Sequence, residues 1–139
     1  MAFRMSNDLK NVLCNSGVVN QLAGTDGTDG TASLNIYNGT QPASGDDGTA
    51  GTLLCTISNI GWTAATAGTA SFANTAGYTG TASATGTAGW GRMETVNENG
   101  TCRVDGDIGT SGANVFTINN ASLTEGGVVT LLSADIYMA

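Results

Sequence analysis

Ala88-Gly-Trp-Gly-Arg-Met-Glu-Thr-Val96 and Thr101-Cys-Arg-Val-Asp-Gly-Asp-Ile108 are two runs of alternating character, separated by Asn97-Glu-Asn-Gly100. Alternation with a period of two reads as strand, and Asn and Gly are turn residues. The stretch is therefore a β-hairpin, and its register follows from charge. A loop over Asn97–Gly100 sets Val96 opposite Thr101, Thr95 opposite Cys102 and Glu94 opposite Arg103. It also sets Met93 opposite Val104 and Arg92 opposite Asp105. Opposite charges then meet on one face and apolar side chains on the other. A tighter loop at Asn99-Gly100 carries the stronger short hairpin signal, but it sets Glu94 against Asp105. Like charges directly opposite destabilise a ladder, so the first register is the expected one.

The same grammar continues outward. Asn114–Asn119 and Val128–Tyr137 alternate, and Gly109-Thr-Ser-Gly112 and Glu125-Gly-Gly127 are turns. Upstream, Ser33–Asn38 reads as a strand with Leu34 and Ile36 inward, ending at Asn38-Gly39. A polar loop over 39–51 holds the only proline, Pro42. Thr52–Ser58 follows, with Leu53, Cys55 and Ile57 on one face. Residues 61–89 are mostly Gly, Ala, Thr and Ser, with little apolar area to offset ordering entropy. Two short strands are expected there, near Ala70–Ala73 and Thr79–Thr85, anchored by Trp62, Phe72 and Tyr78. The chain has 139 residues, with 21 Gly, 21 Thr and one Pro. Thr fits a pleated surface and Gly serves turns, so many short strands joined by tight connections are expected. Strands at this spacing argue a β-sandwich or barrel over 31–139.

Residues 1–30 read differently. Ser6 or Asn7 can cap a helix, Asp8 suits its first turn, and Gly17 stops it. A short helix over about 6–15 would carry an apolar edge of Leu9, Val12 and Leu13 that must dock on something. The loop at 24–31 (Gly-Thr-Asp-Gly-Thr-Asp-Gly-Thr) is low-complexity and polar.

Charge excludes whole classes of partner. The net charge is −7, and the four basic residues, Arg4, Lys10, Arg92 and Arg103, are scattered. Binding nucleic acid takes a basic face, and so does an anionic membrane surface. Neither partner is expected. No stretch approaches the ~20 apolar residues of a membrane span. Met1–Leu13 lacks the apolar core of a secretion leader, so synthesis and assembly in a cytoplasm are expected.

Chemistry is equally poorly provided for. The chain has no His, which removes Ser-His-Asp and Cys-His nucleophile systems. No phosphate-cradling loop or dinucleotide fingerprint is present. Asp46-Asp47 lies among Gly and Ser and reads as solvated charge rather than as one wall of a glycosidase cleft. Cys14, Cys55 and Cys102 are far apart, fewer than the four ligands a structural zinc site takes, and read as reduced small hydrophobes. Asp26-Gly-Thr-Asp29 has an acidic rhythm but not the ligand spacing of a calcium loop, and a solvated linker is the better reading. No enzyme activity, metal or cofactor is expected. Trp62, Phe72, Tyr78 and Trp90 could form a sugar-binding platform. Trp90 shares its strand face with Arg92 and Glu94, as an interface anchor would. The plainer reading of Trp90 is a cover over a sheet end.

Gly-Thr-Ala-Gly-Trp-Gly-Arg (86–92), Gly-Thr-Cys-Arg-Val-Asp-Gly-Asp-Ile-Gly-Thr-Ser-Gly-Ala (100–113) and Ile-Asn-Asn-Ala-Ser-Leu-Thr-Glu-Gly-Gly-Val-Val-Thr-Leu (118–131) resemble a family of small tailed-bacteriophage virion proteins. Leu-Asn-Ile-Tyr-Asn-Gly-Thr-Gln-Pro-Ala (34–43) and Gly-Thr-Leu-Leu (51–54) are similar to the same family. Some members are capsid decoration, or cementing, proteins. The resemblance implies a jelly-roll-like antiparallel β-sandwich with a short N-terminal helix. It implies a structural virion protein on the capsid surface that bridges major capsid protein subunits, working as a homodimer or homotrimer. Leu9, Val12, Leu13, Trp62, Trp90 and Arg92 are the expected interface residues. The competing expectation is a tail-tip or receptor-binding module that grips a host surface glycan.

Overall fold

The structure, a computed structural model, describes residues 6, 32–62, 66–71, 77–97 and 100–137. In chain order the strands are β1 (Ala32–Tyr37), β2 (Leu53–Ile60), β3 (Thr69–Ser71), β4 (Tyr78–Thr81) and β5 (Gly86–Thr87). They continue with β6 (Trp90–Asn97), β7 (Gly100–Gly109), β8 (Phe116–Ile118), β9 (Ser122–Leu123) and β10 (Val128–Tyr137). The described residues form an all-β fold. The expected N-terminal helix and the Gly/Asp loop lie outside the described residues, apart from Ser6.

The hairpin pairs as its charges require. Across β6 and β7, Val96 faces Thr101, Glu94 faces Arg103, Met93 faces Val104 and Arg92 faces Asp105. The ladder runs one pair further than expected, to Asn97 opposite Gly100. β1 lies antiparallel along the other edge of β6, with Leu34 opposite Met93 and Tyr37 opposite Trp90. β2 flanks β1, so the large sheet runs β2-β1-β6-β7-β8-β10, with β3 and β4 both pairing β10.

Two features depart from a purely antiparallel layout. β7 and β8 pair in parallel through Ile108–Phe116 and Gly109–Thr117. The sheet also curls back on itself. β4 pairs β10 through Thr81–Val128 to Tyr78–Leu131, and the next residue, Ala82, bridges Cys55 of β2. The Ser83 amide donates to the Leu54 carbonyl at 2.8 Å. Gly80 is needed at this seam, because a Cβ there would stand 2.5 Å from the Thr56 carbonyl oxygen. The ladder thus returns to its first strand. Beside it, β5 and β9 form a two-stranded sheet.

Curling gives the sheet one inner face, and one core fills it: Leu34, Ile36, Leu54, Ile57, Ile60, Trp62, Met93, Phe116, Ile118 and Leu131 are fully buried. Leu34 and Ile36 point inward as expected, and so do Cys55 and Ile57. Leu53 does not: it is 40% exposed, and Leu54 is buried instead. The reason is the register shift between Ile36 and Tyr37, which sets Leu53 opposite Tyr37 on the other face. In the 61–89 stretch β4 is shorter than the strand expected over Thr79–Thr85, and β3 falls where the other strand is expected, of which Phe72 and Ala73 lie outside the described residues. Ala82 to Thr85 leave the ladder after Ala82 has made the bridge to β2.

Candidate functional site

The outer face of β1, β6 and β7 carries most of the polar chemistry of the described chain. Period-two alternation puts Asn35, Tyr37, Trp90, Arg92, Glu94, Arg103, Asp105 and Asp107 on it together. Contacts run across the strands. Thr56 Oγ1 donates to Asn35 Oδ1 at 2.8 Å, and Asn35 Nδ2 donates to Glu94 Oε1 at 3.1 Å. Arg103 Nε reaches Glu94 Oε2 at 3.2 Å.

At one end this face is buried. Tyr37 and Trp90 stack with ring centroids 4.7 Å apart and an interplanar angle of 15°. The Arg92 guanidinium carbon is 5.5 Å from the Trp90 ring centroid. Arg92 Nε and Nη2 each donate to Asp105 at 2.7 Å. That carboxylate holds the guanidinium pKa above its ordinary value, against the opposing effect of burial. The cover is the loop 38–52. Trp90 Nε1 donates to the Ala50 carbonyl at 3.1 Å, and Arg92 Nη1 donates to the Asp47 carbonyl at 3.0 Å. Asn38 closes the loop's base, with its side-chain oxygen accepting from the Thr52 amide at 2.7 Å. Gly89 lets the loop lie close, since a Cβ there would meet the Gly39 carbonyl oxygen at 2.2 Å.

Burial corrects the expected use of three residues. Trp62, Trp90 and Arg92 are interior side chains, so they do not present themselves as exposed interface anchors. Trp62 belongs to the main core and Trp90 to the small aromatic core under the loop. The covered-sheet-end reading describes Trp90. Neither indole offers an open ring to a sugar. Tyr78 is buried as well, and its hydroxyl accepts from the Gly61 amide at 3.1 Å. Leu9, Val12 and Leu13 lie outside the described residues, and so does Phe72.

Asp107 works as a loop holder. Its carboxylate accepts from the Val115 amide at 2.9 Å and from Asn114 Nδ2 at 2.8 Å. These two bonds, the amide first, hold its pKa below the ordinary carboxylate range. Asp46 and Asp47 are exposed, as expected, and Asp47 closes a turn by accepting from the Ser44 amide at 3.0 Å. Burial pushes the Cys55 thiol pKa up, which leaves it a packing group and not a nucleophile. Among the described residues no cluster of Cys, Asp and Glu is arranged to hold a metal ion.

A surface cleft of about 190 Å³ lies elsewhere, between Asn119, Asn120, Ser122, Thr124 and the start of β10. Its lining is amide, hydroxyl and aliphatic. All of its lining residues fall within 119–129, from the end of β8 through β9 to the start of β10, and no charged or aromatic side chain among them marked the stretch in the sequence.

Comparison of the chain with protein-family models, with curated proteins and with solved structures finds no match.

Proposed function

We propose that this chain is a structural protein of a tailed-phage particle, one that decorates and cements the capsid by bridging major capsid protein subunits. Its curled sheet is then a variant of the jelly-roll-like sandwich. The carrying observation is how the fold divides its side chains. Trp90, Arg92 and Asp107 of the outer sheet face hold loops through their hydrogen bonds, whereas β10 shows aliphatic side chains to solvent. Val128 and Leu132 are 66% and 48% exposed on its outward row, with Thr130 between them. An apolar strip on a well-paired strand suits contact with another protein surface. The segment with Leu9, Val12 and Leu13 is the second proposed contact. The sequence resemblance supplies the identity of the partner.

The test is co-sedimentation with phage heads that lack the protein. Saturable binding in many copies per head, with the heads gaining heat resistance, is the expected result. Loss of binding on deleting residues 1–15, with the β-domain still folded, is expected too. Full-length protein that leaves heads unbound would overturn the reading.

A tail-tip module recognising a host glycan is the second reading, and the cleft at Asn119, Asn120, Ser122 and Thr124 favours it, since amides and hydroxyls pair well with sugar hydroxyls. Copy number separates the two: many per particle for a cement, a handful for a tail module.

A further inference from the structure

We infer that residues 39–51 are a hinged strap, which swings off the outer sheet face and back as one piece while the sheet beneath it stays folded. The inference needs only the geometry of this loop and stands apart from the capsid reading.

The strap is held lightly. From Gly39 to Thr52, Pro42 and Gly45 are half-buried and every other residue is exposed. No side chain of the strap is buried, so its closed position rests on hydrogen bonds. Among the described residues, two tie it to the face it covers. Trp90 Nε1 donates to the Ala50 carbonyl at 3.1 Å and Arg92 Nη1 to the Asp47 carbonyl at 3.0 Å. A segment with so few buried contacts opens at a free energy well below that of global unfolding.

The strap is also built to move in one piece. Gly39 and Gly51, at its two ends, have φ of +84° and +86°. Glycine takes either sign of φ, which suits these two positions to absorb a hinge motion. The tip between them is tied to itself. The Ser44 amide donates to Asp47 Oδ2 at 3.0 Å, the Asp46 amide to Ser44 Oγ at 3.1 Å, and the Asp47 amide to the Ser44 carbonyl at 3.0 Å. The carbonyl that Arg92 holds belongs to this tied turn, so the turn leaves the sheet whole.

The face beneath keeps its shape without the strap. Tyr37 and Trp90 stack on each other from paired strands, and Asp105 holds Arg92 through two hydrogen bonds. Opening therefore frees two donors, Trp90 Nε1 and Arg92 Nη1, on a surface that is already assembled. The inner core is on the other side of the sheet and is not disturbed.

Hydrogen exchange of the full chain, followed by NMR, tests this directly. The Trp90 indole N–H reports the strap, and a Trp62→Phe chain identifies its signal. The amide of Ile36, which lies between β2 and β6, reports global unfolding. The Trp90 indole should have a protection factor at least about tenfold below that of Ile36. It should also hold that value in low denaturant while the protection of Ile36 falls, because swinging the strap exposes little surface. Protection within tenfold of Ile36, or protection that falls with denaturant as Ile36 does, would overturn the inference. A second variant releases the strap. A Cβ on Gly51 would stand 2.1 Å from the Asn38 carbonyl oxygen in the closed form. Adding Gly51→Ala to the Trp62→Phe chain should therefore red-shift the Trp90 emission and strengthen its quenching by acrylamide, with far-UV circular dichroism unchanged. Unaltered Trp90 emission in that folded chain would overturn the hinge. If the double variant does not fold, the exchange experiment on the unsubstituted chain decides alone.

Discussion

Arg92 and Asp105 grip each other across β6 and β7 through two hydrogen bonds of 2.7 Å, with only 2% and 5% of their side chains exposed. Taking two charges out of water is costly, and the bidentate geometry offsets that cost. The third guanidinium contact, to the Asp47 carbonyl, ties the covering loop to the same pair. Removing one partner leaves a charge buried without its counter-ion. Asp105→Ala should lower stability by about 3–5 kcal/mol in chemical denaturation. Replacing both, as Arg92→Met with Asp105→Leu, should cost clearly less. A single-variant loss below about 1 kcal/mol would mean that water reaches the pair and the loop does not seal it.

Arg103 and Glu94 form the exposed counterpart of that pair on the same face. Their side chains are about a third accessible, so the contact contributes about 1 kcal/mol or less. Arg103→Glu should still destabilise more than Arg103→Ala, because it adds like-charge repulsion to the lost attraction. Equal unfolding midpoints for the two variants would count against this pairing in solution.

The two tryptophans should respond differently to the same change. Trp90 donates to Ala50 and stacks on Tyr37, so Trp90→Phe loses a hydrogen bond and part of the stack, about 2–3 kcal/mol. Trp62 is as deeply buried, but its Nε1 has no hydrogen-bond partner among the described residues. Trp62→Phe removes an orphaned donor along with the lost volume, and these effects oppose each other. Its net cost should be about 1 kcal/mol or less. Thermal denaturation of both variants checks the order, and a larger loss at Trp62 would show that its indole nitrogen is in fact bonded.

Asp107 links loop order to pH. Its carboxyl titrates below the ordinary value of 3.8, because the Val115 amide and then Asn114 stabilise the charged form. A depressed carboxyl contributes stability that is fully present above the unfolded value and is lost as pH falls through the folded one. The loss should therefore set in below about pH 4. Asp107→Asn should be less stable than the parent at neutral pH by about 1 kcal/mol, and the gap should close as pH drops below that point. A gap independent of pH would remove the carboxylate from the account.

The hairpin was legible because its information is local. Glu94, Arg103, Arg92 and Asp105 lie within fourteen residues of one another, and one shift in register reverses who faces whom. The burial of Trp90 was not legible. Its neighbours Tyr37 and Ala50 come from β1 and the 38–52 loop, about forty or more residues away. Alternation showed that Trp90 shares a face with charges, and a face with charges reads as solvated unless something covers it. Leu53 was misplaced for a similar reason: a register shift in the β1–β2 ladder moves it to the outer face, and no residue type announces that shift.

Three of the five Gly-Thr-Ala stretches separate what the sequence determined from what the tertiary structure decided. At 48–50 the Ala carbonyl accepts the Trp90 indole; at 80–82 the Ala bridges β2 and closes the sheet; at 86–88 the Ala amide donates to the Ala121 carbonyl. One local sequence thus serves a loop, a seam and a strand end. By itself the sequence determined that the described residues would be all-β, where most of their strands lie and how β6 meets β7, because period-two alternation, turn residues and near-neighbour charges act over short stretches of chain. The tertiary structure alone decided that β8 runs parallel to β7, that β4 returns to β2, and that a polar loop turns one part of the outer face into interior. Those outcomes depend on which distant segments compete for the same edge and the same buried area, and the competition is settled only when the whole sheet has closed around its core.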